Sequence, residues 1–325
     1  MARKQQADDE IKGNVQYGVD PANRLKGWQA PWTGLGVDIS QLPRAEWAKA
    51  AGLDWKLERH FDFHGPDEGG SQVTRMPNRY IWVRDTDNKP FAACGHGWMP
   101  LQNEAVLDFV AEYSAAGGIV PEVAGALREG GLVFALARIN KEFEVGKGDR
   151  IKSYLMFSSP HRVGEAIRVK TLTLRLICMN GLFTTNHAVE YSQSHIGMFD
   201  FAKARERVNF AHDELAEAEK RYKRIRALKM NIDDAMNKVL APILAPELAG
   251  KVEIDNLPPK LAQIFQSIMT GPGAEPENGW GVLNGVSHWA DHVAGRSPSS
   301  RLTSAWAGPN AMLKRKVEHQ LLELA

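Results

Sequence analysis

Cationic side chains recur along one predicted strand and on a strand just before it, with aromatic side chains between them. The cations are Arg168, Lys170, Arg175 and Lys152, and the aromatic residues are Tyr154, Phe157 and Phe183. Lysine and arginine contact phosphate groups, and aromatic rings stack on bases. The combination is therefore typical of a surface that binds single-stranded nucleic acid. Aromatic residues in strands are also typical of a protein core, and both interpretations stay open.

A second group of cations lies near the end of a long predicted helix. It consists of Lys220, Arg221, Lys223, Arg224, Arg226 and Lys229. Cations near a helix C-terminus are stabilised by the helix dipole, so these residues are typical of a solvated helix end. They also suit a surface that contacts phosphate groups. If the two groups of cations form one continuous groove, this supports nucleic-acid binding, whereas cations scattered around the surface favour the solvated interpretation.

Residue patterns for metal binding and catalysis are incomplete. His288 and His292 are spaced to face the same side of a helix beside Asp291, but the glutamate of a zinc-protease motif is missing. Ser158, Ser159 and His161 are close in sequence without a nucleophile elbow. We therefore expect no metal and no cofactor, and we favour a non-enzymatic role while leaving an enzyme open.

Composition limits the class of protein. The chain has 325 residues, 43% of them hydrophobic, a net charge of +1 and two cysteines. That charge excludes a polycation, so a nucleic-acid surface would be local. Few cysteines are typical of a reducing compartment. The sequence has no stretch of about 18 apolar residues and no apolar run at its start, so we expect a cytoplasmic protein that does not cross a membrane.

Alternating apolar and polar residues, separated by short turns, predict an α+β fold in which hairpins build an antiparallel sheet. A long heptad-patterned helix and a helical C-terminal section follow. This pattern divides the chain into a flexible N-terminal arm at 1–30, an α+β sheet domain at 31–199 and a helical section at 200–325. The last section contains the long helix at 200–228 and a linker at 271–279.

Individual elements follow from the same patterns. Hairpins are predicted for Tyr80–Arg84 with Phe91–Cys94, and for Val123–Arg128 with Leu132–Ile139. Further helices are predicted at Pro259–Thr270, near Val282–His292 and from about Asn310. A Gly/Ser/Pro loop is predicted at 295–300. Asn103 is predicted to cap a helix that ends near Ala116.

The long helix carries an apolar seam at spacings of three and four residues. Its members are Phe201, Ala204, Val208, Ala211, Leu215, Ala218, Tyr222 and Ile225. Such a seam packs either on the rest of the chain or on a second copy, which would give a homo-oligomer.

Several segments together resemble the phage and plasmid protein family listed as domain of unknown function 932. They are Pro31–Gly36, Ala51–Trp55, Leu101–Asn103, Arg175–Leu182, Gly279–Val286 and Asp291–His292. Thr33, Met179, Gly181 and His288 depart from the family pattern. Within these segments we expect structural roles for Asn180, Gly181, Trp280 and Asn284. The Asn180-Gly181 pair is predicted to form a turn with positive φ after the strand.

Two classes of function remain. The first is a phage or plasmid DNA-metabolism protein that binds single-stranded DNA, with strand annealing in recombination as one form. The alternative is a non-enzymatic phage interaction protein that acts on host or plasmid machinery. An exposed apolar patch without clustered cations would be typical of the second class.

Overall fold

The structure is a computed structural model that describes residues 29–65, 72–75, 78–183, 190–209 and 211–325. The predicted N-terminal arm lies outside these ranges except for its last two residues.

An antiparallel sheet forms the centre of the described chain and confirms the α+β prediction. Its strands are β1 (Gly36–Asp38), β7 (Ile119–Leu127), β8 (Leu132–Gly146), β9 (Asp149–Pro160), β10 (Ala166–Arg175), β11 (Asn180–Phe183) and β12 (Tyr191–Ser194). They pair in the order β1-β7-β8-β9-β10-β11, and β12 pairs with the start of β10. Short turns join β7 to β8, β8 to β9 and β10 to β11, so the predicted 123–139 hairpin is confirmed.

Smaller pairings flank this sheet in the first part of the chain. They are a three-stranded sheet of β2 (Leu57–His60), β5 (Tyr80–Arg84) and β6 (Pro90–Cys94), and a pair of β3 (Asp62–Gly65) with β4 (Gln72–Arg75). The antiparallel pairing of β5 with β6 confirms the first predicted hairpin.

The helices surround the main sheet. They are α1 (Trp47–Ala50), α2 (Asn103–Ala115), α3 (Phe201–Val208), α4 (Ala211–Ala227), α5 (Ile232–Asp234), α6 (Ala241–Leu244), α7 (Pro259–Thr270), α8 (Gly279–His288), α9 (Pro298–Ala307) and α10 (Pro309–Leu324). π-Helical turns at Ala235–Leu240 and Trp289–Val293 extend α5 and α8.

The single helix predicted for 200–228 is not confirmed, because α3 and α4 are separate. Asn209 stands in a turn after α3, and its Oδ1 accepts a hydrogen bond of 2.7 Å from the Tyr113 hydroxyl. Asparagine is a weak helix former whose side chain readily bonds outside a helix, which favours a break there. The seam residues 204, 208, 215, 218, 222 and 225 are each at most 3% exposed and pack into the chain's own core.

Two other local predictions need correction. Asn103 is not the cap of α2 but its first residue, since Gln102 precedes the helix and the Asn103 amide donates to the carbonyls of Leu53 and Trp55. The loop predicted at 295–300 is shorter, because Ser297 caps α9 through a reciprocal capping box with Ser300.

The two faces of the main sheet are covered by different helices. On one face, Phe134 packs against Trp306 of α9, with ring centroids 5.0 Å apart. On the other face, the Thr173 hydroxyl lies 3.0 Å from the Tyr222 hydroxyl of α4. Because residues directly opposite each other on paired strands share a face, the strand register assigns every β9 and β10 side chain to one of these two sides.

Candidate functional site

Two of the predicted nucleic-acid-binding residues are inside the protein. Lys170 is 4% exposed, and its Nζ donates a hydrogen bond of 2.6 Å to the carbonyl oxygen of Trp306. Arg175 is 1% exposed and forms ion pairs with Asp149 and Glu275. Neither side chain is placed to contact a phosphate in this conformation, so their position gives no support to the prediction that they bind nucleic acid.

The other two strand cations are half-buried and far from each other. Lys152 and Arg168 lie on the same face of the sheet. Arg168 lies directly opposite Ser158, and Lys152 is an even number of residues from Ser158 on the same strand. Six residues along a strand correspond to about 20 Å. Trp306 and α9 cover the middle of this face, and Arg168 lies 3.6 Å from the carboxylate of Glu190.

The helix cations lie on the opposite side of the sheet, since α4 packs on the face that carries Thr173. Lys220 and Lys223 are exposed and form ion pairs with Glu217 and Glu219 within the helix. Arg221 bonds to the buried Glu214 at 2.7 Å, and Arg224 donates to the carbonyl of Leu322. The strand and helix cations therefore do not form one groove.

Arg175 instead organises a buried charged network between the sheet and the C-terminal section. Its Nε and Nη2 each donate to Asp149 at 2.8 Å, Nη2 reaches Glu275 at 3.0 Å, and Nη1 donates to the Gly273 carbonyl at 3.1 Å. The indole of Trp280 donates to the same Asp149 at 2.8 Å and stacks against the guanidinium. Arg226 of α4 contacts both acids.

The turn between β10 and β11 differs from the prediction. It consists of Leu176–Met179, and Asn180 and Gly181 begin the next strand. The positive φ, 54°, belongs to Met179, a residue type that seldom adopts it, and not to the Asn-Gly pair. A ring nitrogen of His292 lies 3.3 Å from the Met179 carbonyl oxygen, which helps to fix this conformation.

Asn180 and Gly181 are held by residues more than 100 positions away. The Asn180 amide donates to the Asn284 carbonyl at 3.0 Å, and Asn284 in turn donates to the Trp280 carbonyl. The Gly181 N–H donates to the Asp291 carboxylate at 2.8 Å. Lys314 bonds both the Gly181 carbonyl at 2.7 Å and Asp291 at 2.6 Å.

Replacing Asn180 with leucine should lower the free energy of unfolding by about 1–3 kcal/mol, because the Asn284 carbonyl would lose its donor inside the core. Asn180 is 1% exposed. Urea denaturation followed by circular dichroism measures the change. Asn256→Leu removes an exposed asparagine and is the matched control. Equal denaturation midpoints for Asn180→Leu and wild type would contradict a structural role.

The histidine pair and the free thiol have structural surroundings. The rings of His288 and His292 lie 5.3 Å apart, and Asp291 is paired with Lys314. In the part of the chain that the structure describes, no group of three His, Cys, Asp or Glu side chains is arranged to hold a metal ion. Burial raises the pKa of the Cys178 thiol to about 11, so the thiol stays protonated at neutral pH.

An exposed apolar surface is the feature that the sequence reasoning missed. We call Met99, Ile196 and Met198 the apolar surface; their exposed fractions are 46%, 72% and 83%. Single exposed apolar side chains are common, but exposed apolar side chains grouped on adjoining loops are typical of a surface that contacts a partner. The sequence gives little indication of this surface, because Ile196-Gly197-Met198 is too short for a strand or helix pattern and is typical of an ordinary turn.

The apolar surface is held in place by a short ladder between its two loops. Trp98 pairs with Ile196, and the Met99 N–H donates to the His195 carbonyl at 2.7 Å. The His195 ring stacks on Trp98 at 4.7 Å, and the Gln193 amide donates to the Met198 carbonyl at 2.8 Å. The backbone that carries the exposed side chains is therefore fixed at several points.

No helix in the described ranges is both long and apolar enough to cross a membrane. A search of curated proteins found none that matches the chain, and a search of solved structures also found none. The family model with the description "Domain of unknown function (DUF932)" matches residues 90–306. The match includes the segments Arg175–Leu182 and Gly279–Val286, and it begins after Pro31–Gly36 and Ala51–Trp55. Since it spans well over half of the sequence, the chain belongs to the DUF932 family.

Proposed function

We propose that this protein acts by binding another protein through the apolar surface of Met99, Ile196 and Met198. The observation that carries the proposal is the combination of high exposure with a fixed backbone. An exposed apolar side chain gains free energy when a partner removes it from water, and a fixed backbone lowers the entropy lost on binding. Two of the three residues are methionines, whose flexible side chains adapt to a partner surface.

The proposal corresponds to a non-enzymatic interaction protein. The resemblance to phage and plasmid proteins suggests host or plasmid machinery as the partner, in the cytoplasm of the cell. The buried, unpaired thiols of Cys94 and Cys178 are compatible with a reducing compartment. The separation of the basic residues onto two sides of the sheet also favours this function over nucleic-acid binding.

Binding of single-stranded DNA, with strand annealing as its use, stays a second candidate because Lys220, Lys223 and Arg224 are all exposed on one end of α4. Their neighbouring acids, Glu217 and Glu219, reduce the net charge of that surface. A homo-oligomer built on the heptad seam would require buried residues to become exposed. In the described chain, self-association has a more accessible site in the apolar surface.

We expect Ile196→Asp with Met198→Asp to abolish partner binding while leaving thermal stability within about 1 kcal/mol of wild type, since both side chains are exposed. Met312→Asp changes a methionine that is 57% exposed on α10 and is the matched control. Tagged wild type and both variants are purified from cells, and co-purifying proteins are compared by quantitative mass spectrometry. A candidate partner is then titrated with each purified protein.

The outcomes separate the candidate functions. A partner retained by Met312→Asp and lost by the double variant supports the proposal. Partners that the double variant retains would contradict it. Sedimentation of the same proteins shows whether the partner is a second copy. Tight, salt-sensitive binding of oligo-dT, weakened by Lys220→Glu with Lys223→Glu, would favour the DNA candidate instead.

A further inference from the structure

A pocket of about 800 Å³ opens where α9 meets the β7–β8 turn and the connection between β9 and β10. Its lining includes Arg128 and Glu129 from the turn, Arg162 from the connection, and Ser299, Thr303 and Ser304 from α9. A volume of this size is typical of sites for small molecules. None of these residues belongs to the apolar surface or to the Arg175 network.

Thr303 is the first sign that the pocket is built for a ligand. Its side chain is 8% exposed, and its Oγ1 has no hydrogen-bond partner among the described residues. A buried hydroxyl without a partner costs free energy comparable to a lost hydrogen bond. A threonine in the middle of a helix ordinarily bonds back to the carbonyl four residues earlier, and Thr303 does not. Thr303 lines the pocket, and a rotation of its side chain would bring the hydroxyl, which has almost no accessible surface in this conformation, to a ligand oxygen.

The neighbouring serines are arranged to donate. The Ser299 hydroxyl accepts the Arg128 N–H at 3.0 Å, and the Ser304 hydroxyl accepts the Asn310 N–H at 3.3 Å. A hydroxyl that accepts from a backbone amide still has its own hydrogen to donate. Ser299, Thr303 and Ser304 thus offer three O–H donors on one side of the pocket. Of the three, Ser299 lies in the first turn of α9, near the positive end of the helix dipole, and Thr303 and Ser304 lie one turn further along.

The charges around the pocket also favour an anion. Arg128 is neutralised by two bonds to Glu165, at 2.6 and 2.9 Å, and Glu129 is paired with Lys89. Arg162 is exposed and has no ion-pair partner in the described part of the chain. The guanidinium of Arg162 is therefore the cation that remains for a ligand, and its planar donors suit phosphate oxygens.

We propose that this pocket binds a phosphate group, free or carried by a small molecule, with Arg162 as the charged contact and the hydroxyls of Ser299, Thr303 and Ser304 as neutral donors. The site is independent of the proposed protein-binding function. A neutral polyol would use the hydroxyls but would gain nothing from Arg162, so the dependence on Arg162 distinguishes the two ligand classes.

The test is isothermal titration of the full chain with inorganic phosphate and with adenosine monophosphate, at ionic strength held constant with sodium chloride. We expect Arg162→Ala to weaken phosphate binding about tenfold or more, because a charge-assisted contact is lost. Arg79→Ala removes an exposed arginine elsewhere and should leave the affinity unchanged. Much tighter binding of the nucleotide indicates a phosphate monoester as the ligand, and equal affinities indicate free phosphate.

Thr303→Val provides a second readout that a merely structural role would not give. The variant should bind phosphate more weakly, and its thermal stability without phosphate should equal or exceed that of wild type, because it removes a hydroxyl that lacks a partner. Absence of phosphate binding by wild type, or unchanged affinity in Arg162→Ala, would overturn the proposal. A less stable Thr303→Val with unchanged phosphate affinity would also count against it.

Discussion

Arg175→Met should lower the free energy of unfolding by about 3–5 kcal/mol, the range expected when one partner of a buried ion pair is removed. The variant would leave the carboxylate of Asp149, which is 2% exposed, with the Trp280 indole and a 3.3 Å contact to Arg226. Glu275 and the Gly273 carbonyl would each lose a donor. Denaturant unfolding followed by circular dichroism measures the loss.

Two comparisons make this result specific. Arg226→Met removes a cation that contacts the same two acids but is 32% exposed, so its cost should be about 1 kcal/mol or less. Arg175→Met with Asp149→Leu removes both charges, and its cost should fall below the sum of the single changes. An Arg175→Met midpoint close to that of wild type would show that the network contributes little to stability.

The features that could be predicted from sequence are those that depend on neighbouring residues, and the Arg175 network is not one of them. Hairpins and most helix ends follow from local patterns, and the structure confirms them. The parity of a strand also separates Arg175 from Arg168 and Lys170, because residues at odd and even spacing face opposite sides. That rule was available from sequence and argues against a single basic groove on β10.

Burial of the cations could not be predicted from local patterns. Lys170 is satisfied by a carbonyl 136 residues later, and Arg175 by an acid 100 residues later. A local sequence pattern gives no information on such distant partners, so it cannot distinguish a buried lysine from an exposed one. For the same reason the residues at the α9 pocket, which belong to three distant segments, could not be grouped before the fold was known.

The segments that carry the family resemblance meet in space, which gives them a structural meaning. Residues of Arg175–Leu182 bond to residues of Gly279–Val286 through the contact of Asn180 with Asn284. The Gly181 amide bonds to Asp291 in a third segment. These contacts attach the helical C-terminal section to the end of the sheet. The segments that match the family pattern therefore lie at this junction.

Stability should fall as pH decreases from about 6.5 to about 4, and two buried histidines should account for much of the loss. Burial lowers the pKa of both His161 and His292 from 6.5 to about 4. Above pH 6.5 each ring is neutral in the folded and the unfolded chain. Between the two pKa values the unfolded chain binds a proton that the folded chain does not, so acid favours unfolding. Each histidine lowers the free energy of unfolding by about 3 kcal/mol once the pH is below its pKa in both the unfolded and the folded chain.

The test is urea denaturation at a series of pH values between 4 and 8, scored by the slope of unfolding free energy against pH. His161 is fully buried between Trp55 and Phe91, and a ring nitrogen lies 3.0 Å from the Gly130 carbonyl. His161→Gln retains an amide donor for that carbonyl but does not titrate. The slope of unfolding free energy against pH for this variant should correspond to about one proton fewer taken up on unfolding than in wild type. This holds whatever the effect of the substitution on absolute stability. His319→Gln, on the exposed side of α10, controls for removal of a histidine as such. A wild-type slope that persists in His161→Gln would show that His161 does not remain neutral in the folded protein, and the acid sensitivity would then have to come from His292 or from carboxylates.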